Sequence, residues 1–272
     1  MNAPSIHPRY RDALAAIWER SGYDRGFISN PFAGDDAARL GLARTRRLLD
    51  RLGAPDTHVS IVHVAGSNGK GSTCAFIDAI ARAAGYRIGR YTSPHLHQFR
   101  ERIAVDGEPI AESDFADHLF TALDAAVALE REEPALGTIT AFELTTAMAF
   151  NVFTAHDCEL AIIETGMGGA LDATNVVSSL VAAITPLDYE HTAVLGATLA
   201  EIARNKAGII KAGRPVAVAA QPAEAMAVIE ARASEPATTM SGALDVIARS
   251  IASATEPVAS GTGRTSISAA RS

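Results

Sequence analysis

A β-rich run, Val59 to Val64, empties into Gly66-Ser67-Asn68-Gly69-Lys70-Gly71-Ser72-Thr73, and an apolar helix leaves it from Ser72 to Ala84. Strand, glycine loop with lysine, then helix admits few architectures. The loop has to sit at the carboxyl end of a strand, with its helix packed back on the sheet. Glycines let backbone N–H groups turn inward with no Cβ in the way. The helix N-terminus adds partial positive charge at the same point. Lys70 supplies a mobile full charge, and Ser72 or Thr73 a hydroxyl for a magnesium ion. The run predicts a nucleoside triphosphate held by Gly66, Ser67, Asn68, Gly69, Lys70, Gly71, Ser72 and Thr73. The spacing departs from G-x-x-x-x-G-K-[ST], because Gly71 separates Lys70 from Ser72 and Gly66 lies close to Gly69. The plainer alternative is a tight turn of ordinary α/β kind. The lysine, the hydroxyls and the flanking elements together favour the phosphate cradle.

The 272 residues suffice for one large domain or one domain with an appendage. At 48% hydrophobic content the chain can build a full core. The formal net charge of −7 argues against general binding to nucleic acid or anionic membranes. Arg44, Arg46, Arg47 and Arg51 are interspersed with leucines and read as a solvated helix face. Cys74 and Cys158 stand far apart in apolar surroundings, without a CxxC pair. They are expected to pack as small hydrophobes in a reducing compartment. Met1 to Tyr10 lacks the apolar core of a signal peptide, and no apolar run is long enough to span a bilayer, so the cytoplasm is expected.

Along the chain, 8–21 reads as a helix with Leu14, Ala15, Ile17 and Trp18 on one side, and 22–34 as a loop. A second helix starts at Asp35 and ends at Leu52 before Gly53. Strands are expected over Ser60 to Val64, Tyr86 to Tyr91, Leu160 to Ile163, Leu180 to Thr185 and Pro215 to Ala219. Asp106-Gly107 predicts a hairpin with a type I′ turn. Over 113–130, Phe115, Leu119, Leu123 and Val127 form a stripe spaced by fours. Thr140 with Glu143, and Thr198 with Glu201, are capping boxes that open helices. Ala223 to Ala233 is a last helix. Short strands apolar on both faces, alternating with helices, predict a mostly parallel sheet with helices on both faces. From Ser234 to Ser272 the chain is rich in Ala, Ser and Thr. Leu244, Val246, Ile247 and Ile251 allow one short helix there; the rest holds too little apolar surface to offset its ordering entropy. The expected division is a nucleotide-binding domain over 1–233 and a poorly ordered tail over 234–272.

Ligands of open parallel sheets bind beyond the carboxyl ends of the strands. Three polar positions fall there: Lys70 with Ser72, then Glu164, then Asp188, Glu190 and His191. A hydroxyl, a carboxylate and an imidazole could converge on one magnesium ion, although histidine is an atypical magnesium ligand. Taken alone, Lys206 reads as a charge at a helix C-terminus.

These residues carry a family resemblance. His63-Val64-Ala65-Gly66-Ser67-Asn68-Gly69-Lys70-Gly71-Ser72-Thr73 resembles the ATP loop of folylpolyglutamate synthase and dihydrofolate synthase, members of the Mur ligase superfamily. Thr92-Ser93-Pro94-His95-Leu96 with Phe99, Glu101, Arg102 and Ile103 resembles that family's second signature. Glu164 to Gly169 followed by Leu171-Asp172-Ala173-Thr174-Asn175-Val176 resembles the third. Asp188 to Gly196 and Lys206 to Lys211 resemble a fourth and a fifth, and the ordered motifs cover roughly 8–222. The resemblance implies the P-loop fold of a Mur ligase ATP-binding domain. It implies ATP and Mg2+ as cofactors. ATP would lie along Gly66 to Thr73 with Asn175, and magnesium at Ser72, Glu164 and His191. Lys206, carbamylated, would hold a second magnesium, and Lys70 and Lys206 would be the catalytic lysines. Thr92, Ser93, Pro94, His95, Arg102 and Asp172 would contact the pteroate or folate substrate. The implied reaction joins a dihydropteroate or folate carboxylate to the amine of L-glutamate through an acyl phosphate, in a monomer. The alternatives are a nucleotide-binding remnant without turnover, a ligase of peptidoglycan precursors, and another P-loop class such as a kinase or GTPase.

The chain departs from the family pattern in four places. Ala170 stands for the usual arginine, Glu190 for aspartate, Asn205 for glutamate and Ser67 for threonine. The family also carries a second α/β domain, so the sequence is expected to be a truncated ligase that binds nucleotide weakly and ligates poorly.

Overall fold

The computed structural model describes residues 6–21, 35–234 and 240–241, without side chains over 35–40 and 240–241. The expected loop over 22–34 and the tail helix carrying Leu244 to Ile251 lie outside the described residues.

Two helices open the chain, α1 (Pro8–Arg20) and α2 (Asp35–Arg51). Then β1 (Ser60–Ala65) leads into α3 (Lys70–Ala83) and β2 (Ile88–Tyr91). A hairpin follows, β3 (Ile103–Val105) and β4 (Glu108–Pro109), then α4 (Glu112–Glu132) and α5 (Ala141–Ala155). The second half is β5 (Leu160–Glu164), β6 (Val181–Ile184), α6 (Thr192–Leu195), α7 (Leu199–Lys206), β7 (Val216–Val218), α8 (Ala223–Ala233) and β8 (Met240–Ser241).

The sheet order is β4-β3-β2-β5-β1-β6-β7-β8. β1 pairs in parallel with β5 on one side and β6 on the other. β2 with β5, β6 with β7, and β7 with β8 are also parallel, and only the β2-β3-β4 edge is antiparallel. The loop after β1 therefore opens at the crevice between β5 and β6, where open α/β sheets bind ligands. β8 is a two-residue edge strand in the segment read from sequence as tail.

Period-two alternation sorts the strand residues between the two faces. Val62, Val64, Ile88, Leu160 and Ile162 pack under α3. Ile61, Tyr91, Ala161 and Ile163 face α1, α2, α4 and α5, and Ala65, Ile184 and Val216 face α7 and α8. Both capping boxes form, and Asp106 (φ 50°) and Gly107 (φ 87°) make the expected turn. β2 starts at Ile88, not Tyr86, because Tyr86 N still bonds Ala81 O and Gly85 N bonds Arg82 O, a Schellman end to α3.

Three sequence expectations need correction. α1 buries Tyr10, Ala13 and Ile17, while Ala15 and Trp18 face outward. α4 buries Phe115, Ala116, Leu119, Ala122, Ala126 and Leu129 and leaves Val127 exposed. Strict fours run ahead of the 3.6-residue turn, so that row drifts off the buried stripe. The arginine run on α2 is solvated in part, with Arg47 and Arg51 exposed, but it is also an ion-pairing face: Arg44 pairs with Glu143, Arg46 with Asp50 and Asp56, Arg47 with Glu133 and Arg51 with Glu132. Three of the partners, Glu132, Glu133 and Glu143, lie on or next to α4 and α5, whose placement the local pattern does not reveal. Cys74 and Cys158 are buried free thiols, as expected, and burial pushes the Cys158 thiol up to about 12.

Candidate active site

Gly66 sits at φ 153°, and a Cβ on it would lie 1.7 Å from Thr185 Oγ1. No other residue fits between β1 and the end of β6. Ser67 N and Asn68 N both donate to Pro186 O at 3.1 Å, and Ser67 Oγ donates to Asp188 O at 2.9 Å. The loop is thus tied to the strand-six extension. Gly69 (φ 80°) starts α3, and Thr73 N closes its first turn on Gly69 O at 2.9 Å. The amides of Lys70, Gly71 and Ser72 come before the first intrahelical bond, so they project from the positive end of the helix. The donors available to a phosphate are therefore those of the helix start, since Ser67 and Asn68 spend theirs on Pro186.

Two ammonium groups converge on one carbonyl. Lys70 Nζ donates to Gly66 O at 3.0 Å, and Lys206 Nζ to the same oxygen at 2.8 Å. Lys206 is 1% exposed and also pairs with Glu190 Oε1 at 2.5 Å. Burial lowers its pKa, the Glu190 carboxylate opposes that shift, and Lys70 adds to it. Glu190 stays in the low carboxylate range because Lys206 outweighs its own desolvation. Unmodified Lys206 is thus held between the Glu190 carboxylate and Gly66 O.

Glu164 ends β5 and is buried. Its Oε2 accepts Ser93 N at 3.1 Å, and the Cβ position of Gly71 lies 3.6 Å from the same oxygen. The first turn of α3 therefore passes directly over this carboxylate. Burial raises the Glu164 pKa, with Ser93 N and Lys70 pulling the other way. A carboxylate short of donors beside a helix start is a fit seat for a divalent cation. Buried Thr165 Oγ1 and Thr185 Oγ1, without hydrogen-bond partners, follow the same strand ends. His191 is exposed in the left-handed region at φ 46°, a strain of about 1–2 kcal/mol for a residue with a Cβ. No hydrogen bond or ion pair joins its ring to another described residue.

The remaining motif residues organise loops. Asp172 is buried and accepts Met167 N, Thr174 N and Thr174 Oγ1. Thr174 Oγ1 in turn accepts from His63 Nε2 at 2.8 Å, and burial drops the His63 pKa to about 3, so the ring is neutral. Asn175 donates to Ala170 O and Gly208 O and accepts from Lys211 Nζ. Its polar atoms and those of Asp172 are thus already engaged within the chain. Asn205 Oδ1 accepts Gly169 N at 3.0 Å. A hollow of about 370 Å³ opens beside Ala170, Leu195, Arg204 and Asn205, where the alanine methyl leaves room. In the second signature, Thr92 N bonds Arg102 O, Arg102 Nε donates to His95 Nδ1 at 3.1 Å and its guanidinium lies 4.5 Å from the Phe99 ring centre. Glu101 gathers the amides of Leu96, His97 and Gln98.

The fold brings Lys70, Ser93, Glu164, Glu190 and Lys206 around Gly66 to Gly71. Sequence reading missed two supports. One is the Pro186 carbonyl, which orients the loop through backbone alone and leaves no sequence signal. The other is the Glu190–Lys206 pair, whose signal was the longer acid at 190.

No protein-family model matches the chain. It is similar to the dihydrofolate synthase/folylpolyglutamate synthase of Bacillus subtilis, 44% identical over 190 residues, covering 70% of this chain and 44% of that protein. It is similar to the folylpolyglutamate synthase of Arabidopsis thaliana, 43% identical over 178 residues, covering 65% and 31%. Among solved structures, Mycobacterium tuberculosis folylpolyglutamate synthase complexed with ADP aligns with TM-score 0.76 and 32% identity, over 86% of this chain and 50% of that one. A folylpolyglutamate synthase complex with AMPPCP and folate aligns with TM-score 0.76 and 32% identity, over 85% and 53%. The chain spans about half the length of such relatives.

Proposed function

From a chain that belongs, over the part it spans, to the folylpolyglutamate synthase/dihydrofolate synthase family, we infer the nucleotide-binding part of an ATP-dependent acid–amino-acid ligase. The single observation that carries this reading is the convergence of Lys70 and Lys206 on the Gly66 carbonyl, beside buried Glu164. Two cations and the positive end of α3 in one small volume suit a triphosphate.

In this reading Lys70 leaves Gly66 O to meet the phosphates, and the amides of Lys70 to Ser72 hold them. Ser72, Glu164 and His191 would hold Mg2+, which when bound screens the repulsion between the phosphates and an incoming carboxylate. The segment Thr92 to Arg102 receives a dihydropteroate or folate substrate whose carboxylate takes the γ-phosphoryl group. The amine of L-glutamate then displaces phosphate from the acyl phosphate, forming the amide. The chain's own groups bind and align anions, and none is asked to be a nucleophile. A cytoplasmic monomer without nucleic-acid or membrane partners completes the proposal. It accords with the acidic net charge and with the finding that no described helix is long and apolar enough to cross a membrane.

Calorimetry with AMPPCP, with and without Mg2+, tests the site. Magnesium-dependent binding that weakens at least about tenfold in Lys70→Ala and Glu164→Ala is expected. Phosphate release from ATP that needs both a pteroate-class acceptor and L-glutamate tests the reaction. Binding without that release would leave a nucleotide module alone; no nucleotide binding at all overturns the proposal.

A further inference from the structure

At the opposite end of the sheet from the phosphate loop, three side chains meet that the ligase chemistry does not use. Asp114 and His118 are one turn apart on α4, and His156 is the residue that ends α5. His156 Nε2 lies 2.7 Å from Asp114 Oδ2, and His118 Nε2 lies 3.4 Å from Asp114 Oδ1. The three donor atoms all lie within 4.8 Å of one another. Glu164 ends β5, whereas His156 comes just before that strand starts, so the two places are separated by the length of β5.

We propose that Asp114, His118 and His156 form a binding site for one zinc ion, independent of the nucleotide site. Two imidazoles and a carboxylate are a three-ligand zinc set, with water left to fill the fourth position. Two donors each about 2.0–2.1 Å from a tetrahedral ion stand roughly 3.4 Å apart. The 3.4 Å between His118 Nε2 and Asp114 Oδ1 already meets that, and His156 Nε2, 2.7 Å from the other oxygen, has to draw back to admit an ion. Both Nε2 atoms face the carboxylate, His156 as a donor to it, so a metal entering among them displaces the ring protons and takes two nitrogens and one oxygen. His118 Nδ1 is held 3.1 Å from Asn151 Nδ2. With the amide of Asn151 turned to present its oxygen, Nδ1–H donates to it and Nε2 is freed for the metal, the support that ligating histidines ordinarily have. The C-terminal end of α5 adds negative potential at His156. Each of the three side chains is between 16% and 31% exposed, so an ion can reach them. Asp117, which acts on His118, pairs with Arg9 at the surface, and Asp157 follows His156 in the chain. The ion would pin α4 to the turn that feeds β5.

The competing arrangement is metal-free, with the carboxylate simply bridging two imidazoles. The test is a zinc titration of the full chain, without a histidine tag or nucleotide, in excess Mg2+ and against a chromophoric chelator. One zinc per chain is expected, with a rise in Tm, and His118→Ala and His156→Ala should each weaken binding by at least about tenfold. X-ray absorption on the unmutated zinc-loaded chain, which needs no folded variant, should count two imidazoles and no sulfur. Zinc affinity equal in the wild type and the double variant, a spectrum with sulfur or a single imidazole, or no zinc uptake would each overturn the proposal.

Discussion

Glu130 and Glu164 are both carboxylates on the inner side of the molecule, and their environments push them in opposite directions. Glu130, on α4, is opposed by desolvation but accepts Arg20 and Ile139 N, and its pKa falls below the ordinary value of 4.5. Glu164, at the end of β5, is desolvated with Ser93 N as its one hydrogen bond, and its pKa rises. The helical layer pairs its charges: Arg44 grips Glu143 by two nitrogens, and Arg20 grips Glu130. The strand ends leave theirs with spare valence: two lysines share one carbonyl, and two threonine hydroxyls are buried without partners. Buried polar groups cost stability unless satisfied. A region that leaves them unsatisfied next to one that does not is where a ligand is expected to complete the bonding.

The strongest way to break this contrast is to place the same methyl in each region. Gly66→Ala drives a Cβ into Thr185 Oγ1. We expect about 3 kcal/mol or more of destabilisation and no measurable nucleotide binding. Gly137→Ala, beside Arg44 with only an ordinary contact nearby but at φ 76° and ψ −172°, a region that favours glycine, should cost about 1–3 kcal/mol and leave nucleotide affinity alone. Chemical denaturation and calorimetry on both variants check this. Similar nucleotide affinity in the two would remove the special status of the loop.

Next in size is the loss of a fully paired charge. Glu143 is 6% exposed at its side chain, closes the capping box of α5 and holds Arg44. Glu143→Ala leaves the half-buried Arg44 guanidinium with the Leu136 carbonyl, so about 1.5–3 kcal/mol should be lost. Nucleotide Kd should stay within about threefold, since the effects are independent. Denaturant midpoints measured beside binding isotherms decide it.

Glu164→Gln should do the reverse. With the Glu164 pKa raised in the fold, the folded state holds more protons than the unfolded one above pH 4.5, so the wild type loses stability as pH rises through that window. Removing the charge should raise the Tm of the nucleotide-free chain near neutral pH, with the gain vanishing below pH 4.5. Glu130 has the opposite sign: its contribution is present above 4.5 and fades as pH falls through its depressed value. Magnesium-dependent nucleotide binding should drop at least about tenfold in Glu164→Gln. Thermal melts across pH would contradict this if the variant were less stable than wild type at neutrality.

What could be read in the sequence was local. Thr140-x-x-Glu143, Thr198-x-x-Glu201, Asp106-Gly107 and the glycine loop each encode their conformation within a few residues, and each formed. What could not be read depends on distant partners. The Arg44–Glu143 pair spans 99 positions, which is why the pairing on that helix face left no local signal. Asp172 and Asn175 also hold their own loops, through Met167, Thr174, Ala170, Gly208 and Lys211, and those partners are not adjacent in the motif. Periodicity by fours mis-set the α4 stripe because the helix period is 3.6. The site's motif residues were legible; their satisfaction was not, because it depends on the backbone of other strands.

The smallest expected effect probes the same contrast from inside the site. Lys206 is desolvated, which favours the neutral amine, yet Glu190 at 2.5 Å holds the proton in place. Carbamylation consumes the neutral amine and leaves an anion, so Glu190 opposes it twice, by stabilising the cation and by repelling the product. Glu190→Asp shortens the arm by one methylene and draws the carboxylate away from Nζ. Glu190 can hydrate, but Lys206 is only 1% exposed and keeps Gly66 O as its acceptor, so about 1 kcal/mol should be lost. Carbamate on Lys206, read by NMR with carbon-13 bicarbonate, should nevertheless rise relative to wild type. Equal or lower carbamate in Glu190→Asp would mean that desolvation, not the neighbouring acid, controls the lysine. The strand-end charges would then be less open to exchange than their sparse bonding implies.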